Sequence, residues 1–64
     1  MPNIVVSLAQ EMARVHALIP RLDAVHRHEA DTALRAAEDC LRAGSLEGMN
    51  QSLDDLQDFA EPKK

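Results

Sequence analysis

Apolar residues recur along the first third of the chain with the period of a packed helix. Val5, Leu8, Met12, Val15, Ile19 and Leu22 are spaced 3, 4, 3, 4 and 3 residues apart, which is the seam by which one helix packs on another. Asn3 stands where its side-chain oxygen can cap the first turn. Ser7, with Gln10 three residues on, offers a competing capping box that would leave residues 3–6 extended. Because the seam already includes Val5, the helix is expected to begin at about residue 4 under the Asn3 cap.

Pro20 interrupts this pattern. Inside a helix a proline removes a hydrogen bond at a cost of about 3 kcal/mol, and it pushes the preceding residue out of helical angles. Yet the seam passes through it in register, from Val15 to Ile19 to Leu22, which an intervening loop rarely allows. Two readings follow: one long helix kinked at Pro20, or two helices, 4–19 and 20–43, with Pro20 opening the second. The register favours the kink.

The next boundary is written in local chemistry. Arg42 suits a last helical turn, Gly44 a left-handed C-terminal residue, and Ser45 the following N-cap with Glu47 in the first turn. So short a connection reverses the chain. Before it, Ala30, Ala33, Leu34, Ala37, Cys40 and Leu41 form a shallow face on which a returning helix can come close. After it, Leu46, Met49, Leu53, Leu56 and Ala60 repeat the spacing 3, 4, 3, 4 with Phe59 alongside, and Pro62 closes a helix over 46–60 before a tail at 61–64. Gly48, in its first turn, permits close packing.

The pattern predicts an all-α protein: a helical hairpin with a long first arm, kinked or broken at Pro20, and a short returning helix, all within one small domain spanning 1–64. As one helix the long arm would extend about 60 Å and the returning one only about 22 Å, at 1.5 Å per residue. The seam from Val5 to Leu22 would then lack cover within the chain, forfeiting about 1.5–3 kcal/mol for each large side chain left wet. Either the chain folds back at Pro20 or a second chain covers the seam. The favoured expectation is a bundle completed by self-association, with a dimer foremost and those six residues at the interface.

Composition narrows the options. A chain of 64 residues buries only about 60% of its unfolded surface, so its core needs support. Cys40 is the single cysteine; it excludes an internal disulfide and suits a reducing compartment. Phe59 is the one aromatic residue, which leaves the core to aliphatic side chains. Residues 45–61 carry Glu47, Asp54, Asp55, Asp58 and Glu61 with no basic residue, whereas residues 1–44 hold six acids against five arginines. That acidic balance opposes broad nucleic-acid binding. No segment reaches the roughly 18 apolar residues of a membrane span, and the opening PNIVVSLA lacks the basic leader of a secretory signal. The expected address is cytoplasmic.

Candidate chemistry centres on VHRHEAD, residues 25–31. On a continuous heptad His26 and Glu29 fall one turn apart on the packed face, while His28 points elsewhere. The pair is expected to form a polar layer that fixes helix register. A metal site would need three or four ligands, and His16, ten residues upstream, could join only through a fold-back or a second chain. Arg14, Arg21, His28, Arg35 and Arg42 recur every seven residues, a ridge that could meet phosphates. Asp23, Asp31 and Glu38 each precede an arginine by four residues, the favourable orientation for ion pairs on a solvated face. Cys40 lies on the alanine-rich face without a histidine placed to activate it, so no enzymatic chemistry is expected.

The stretch ALRAAEDCLRAGSLEG is loosely similar to the turn of a tetratricopeptide hairpin, and length and hairpin shape resemble the small helical chaperones of type III secretion. These likenesses imply helix-on-helix packing and carry no functional residues with them. The expected function is a non-enzymatic helical interaction module, an adaptor, small chaperone or regulator, acting as a homo-oligomer that binds a helix of another protein. Its first rival is a nucleic-acid-binding regulator using Arg14, Arg21, Arg35 and Arg42. The second is a metal or redox site assembled from His16, His26, Glu29 and Cys40 across an oligomer interface. No cofactor and no membrane partner are expected.

Overall fold

A computed structural model describes residues 3–60, apart from the side chain of Ala60, as three helices without a strand. They are α1 (Ile4–Leu18), α2 (Ala24–Ala43) and α3 (Leu46–Ala60), with one 3-10 turn (Ile19–Arg21) between the first two. Each boundary has a local cause. Asn3 accepts the Val5 N–H at 2.9 Å and opens α1 as its cap. Asp23 accepts the His26 N–H at 2.9 Å and opens α2. Gly44, at φ 69°, ends α2 in the left-handed region, with Ser45 N–H on the Cys40 carbonyl at 3.1 Å and Gly44 N–H on that of Leu41 at 3.3 Å. Those two bonds are the Schellman closure of a helix. Ser45 then caps α3 by accepting the Gly48 N–H at 3.1 Å.

The chain breaks at Pro20; it does not kink. Helix α1 ends at Leu18, the 3-10 turn takes in Pro20, and Leu22 and Asp23 are extended at ψ 151° and 176°. An extended residue pair directs α2 back beside α1, so a 60 Å first arm never forms. The molecule measures 33 × 21 × 19 Å, a length that α2 alone accounts for at about 30 Å. The preserved register has a plain reason: Ile19 opens the 3-10 turn, Leu22 follows it, and both still pack against the core.

That core joins Leu8 and Val15 of α1, Ala30, Leu34 and Ala37 of α2, and Met49 and Leu56 of α3. Helix α3 is the shared wall, packing on both α1 and α2, which touch each other less. The seam therefore finds its cover within the chain. Leu8 and Val15 are fully buried, and Met12, Ile19 and Leu22 pack half-buried against the same cluster, while Val5 at the end of α1 stays exposed. Covering the seam requires no second chain, so self-association loses that ground. The alanine-rich face of α2 packs as expected, and Gly48 does permit close approach: a Cβ there would stand 2.6 Å from the Cys40 Sγ. Leu46, expected on the α3 seam, is exposed as the first residue of that helix.

Candidate functional site

Within the single chain the residues of VHRHEAD form no buried polar layer. His26 and Glu29 are both exposed, and His26 turns to Asp23, its Nδ1 2.7 Å from the Asp23 Oδ1. The heptad that placed His26 beside Glu29 on the packed face assumed a helix continuous through Pro20. Since α2 starts at Ala24, His26 instead occupies the first turn, where the cap residue is its nearest neighbour. Asp23 thus serves the His26 backbone N–H and its ring together. The backbone bond and then the ring bond hold the Asp23 carboxyl below its usual range. The Asp23 bond and charge raise His26, with Glu29 adding a smaller push.

The arginine ridge is divided by the same break. Arg14 lies on α1 and Arg21 in the 3-10 turn, whereas Arg35 and Arg42 share α2, so the seven-residue repeat no longer traces one helix side. Arg14 Nη1 approaches the Glu11 Oε1 at 3.3 Å, and Arg35 Nε the Asp31 Oδ2 at 3.3 Å. Arg27 donates to the Leu22 carbonyl at 3.1 Å and acts on Asp23 through its charge alone, as the smallest of the causes that lower that carboxyl. Cys40 is half-buried with its Sγ 3.8 Å from the Ser52 hydroxyl. Among the described residues no three histidine, cysteine or carboxylate side chains come together as a metal site.

Two features lie outside the sequence expectations. The first is Glu11, which occupies the core stripe of α1 between Leu8 and Val15 and is only 7% exposed. Its Oε2 is buried without a hydrogen-bond partner. The spacing of three from Leu8 and four to Val15 was the available signal, since any residue there shares their face.

The second is an open groove of about 480 Å³ between α2 and α3. On α2 the fully buried stripe is Ala30, Leu34, Ala37. One residue earlier, and so turned toward the edge of the contact, run Glu29, Ala33 and Ala36, which line the groove. Asp55, Asp58 and Phe59 line it from α3. The alanines are too small to fill the space opposite Phe59, and that is why a groove exists. Its middle is apolar and its rim holds three carboxylates. Thr32, also at the groove, has its hydroxyl committed to the His28 carbonyl at 3.0 Å. Comparison with protein-family models, curated proteins and solved structures gave no match to this chain.

Proposed function

We propose that this chain is a non-enzymatic helical interaction module, an adaptor, small chaperone or regulator, that offers a packing surface to a segment of another protein. The observation that carries the reading is the groove between α2 and α3, with half-buried Phe59 set against Ala33 and Ala36. Phe59 is the chain's one aromatic residue, and aromatic residues, phenylalanine included, are enriched at protein interfaces relative to the rest of the surface. The neighbouring polar groups that do pair, Asp23 with His26 and Asp31 with Arg35, act as a helix cap and a helix-face ion pair.

Self-association belongs to the same proposal on different ground from the seam. Val5, Val6 and Leu46 are exposed at 43%, 52% and 63%. They lie in the first turns of α1 and α3, two helices that pack on each other. Sedimentation equilibrium at micromolar concentration tests it: a dimer supports this part, and a monomer removes it while leaving the groove.

The module itself is tested in the protein's own host cells with a photo-crosslinking amino acid at position 36, and at exposed Ala13 of α1 as a control. A discrete adduct from position 36 alone is the expected result. Adducts no different from those at position 13 would refute the reading.

A further inference from the structure

We infer that the groove between α2 and α3 receives a short basic amphipathic helix of a partner protein, an inference that rests on the interaction-module reading. Charge is the first reason. Glu29, Asp55 and Asp58 edge the groove, His28 is its one other ionisable lining residue, and none of the lining is lysine or arginine. None of these three carboxylates makes a hydrogen bond or ion pair among the described residues, in contrast to Asp23, Asp31 and Glu11. They are left facing water around an apolar floor, the complement of a segment with one apolar face flanked by lysine or arginine.

Shape is the second reason. From Glu29 to Ala36 the α2 wall runs about 11 Å, two helical turns. Both walls are helices whose backbone groups are bonded internally. An extended segment would bring unpaired N–H and C=O groups against them, whereas a helix, satisfied within itself, packs its side chains between theirs. The groove then takes one large apolar side chain against Phe59, Ala33 and Ala36, with cations one turn to either side within reach of Asp55, Asp58 and Glu29. A second copy docked groove to groove is a poor occupant, since Glu29, Asp55 and Asp58 would meet their own like charges.

The test is fluorescence anisotropy of the full chain with designed helical probes of about four turns, one with leucines on one face and lysines on the other, and one with glutamates replacing the lysines. The lysine probe should bind at about 50 mM salt and weaken at about 300 mM, where exposed charges are more strongly screened. The double variant Asp55→Asn/Asp58→Asn should bind roughly tenfold more weakly at low salt, at about a factor of three for each exposed pair. Glu38→Gln/Glu47→Gln removes the same charge from exposed positions outside the groove and should leave affinity within about twofold. Ala36→Arg, at an exposed position that cannot disturb the core, should block binding.

Equal losses in the two double variants would overturn the inference, because only overall charge would then matter. So would a glutamate probe that binds as tightly as the lysine probe. Binding that appears only after Lys63 and Lys64 are removed would make the chain's own tail the occupant and also defeat it. If no probe binds but position 36 crosslinks in cells, the inference fails and the interaction module stands; if neither occurs, both fail.

Discussion

Consider a chain in which leucine replaces Glu11. The side chain lies on the core stripe of α1, 7% exposed, with one carboxylate oxygen buried and unpartnered. A buried acceptor left without a hydrogen bond costs about 1–3 kcal/mol, more if charged. The substitution removes that cost and keeps a side chain of similar length and helix propensity. What it loses is the Arg14 contact at 3.3 Å. Arg14 is more than half exposed, and such a pair contributes about 0–1 kcal/mol. The balance is a gain of about 1–2 kcal/mol, or roughly 4–16 °C in Tm at the 4–8 °C per kcal/mol of a domain this small. Urea denaturation followed by helical circular dichroism reads it directly, and an unchanged m-value would show that the unfolded reference has not moved. A lower midpoint for Glu11→Leu would refute the reasoning, because it would mean that the carboxylate is satisfied in solution.

Gly48→Ala should cost about 1 kcal/mol by crowding the Cys40 Sγ, which would stand 2.6 Å from the new Cβ. In a Cys40→Ala background the same change should turn neutral or stabilising, as glycine-to-alanine changes inside helices do; equal effects in both backgrounds would show that the thiol simply rotates away. Leu56→Ala empties a fully buried position on the helix that both others pack against and should cost about 2–5 kcal/mol, enough to unfold most of the chain by circular dichroism. The Asp23–His26 bond should give stability a pH-dependent component. His26 is raised, so its share is complete below the unfolded histidine value and fades as pH rises through the folded one; Asp23 is lowered, so its share is present above the unfolded aspartate value and fades as pH falls through the folded one. The difference in midpoint between wild type and His26→Gln should therefore be largest between about pH 4 and 6.5, and a difference constant from pH 3 to 8 would rule the bond out.

Caps and turns were legible because their chemistry is local. Asn3, Gly44 and Ser45 each act within three residues of themselves, and each does what its type predicts. The core stripes were legible for the same reason, since period alone places Leu8 with Val15 and Leu34 with Ala37. The reversal at Pro20 was not. A 3-10 turn of three residues left Ile19 and Leu22 both facing the core, so the spacing stayed compatible with a continuous helix. Asp23 was the overlooked signal: a cap-forming residue directly before α2, read instead as a counter-charge for Arg27. The groove depends on how α2 and α3 lie against each other at Ala33, Ala36 and Phe59, a relation that spacing along one helix does not contain.

Once α1 folds back, the seam becomes ordinary core, and a working surface has to be sought among residues that folding does not need. Ala30 and Ala37 are fully buried; small side chains there let α3 approach, and packing explains them. Ala36 is exposed and Ala33 only half-buried, yet both stand opposite Phe59. A larger aliphatic residue at either position would close the groove and cover the ring, at about 0.8 kcal/mol for each CH₂ buried. In a domain whose core is small, folding alone would favour that choice. Sequences that specify a structure agree with it at most positions and depart from it where another demand acts. The small residues beside Phe59, with three carboxylates around them that make no hydrogen bond or ion pair among the described residues, are such a departure, and they point to the groove, not the seam, as the place where a partner would bind.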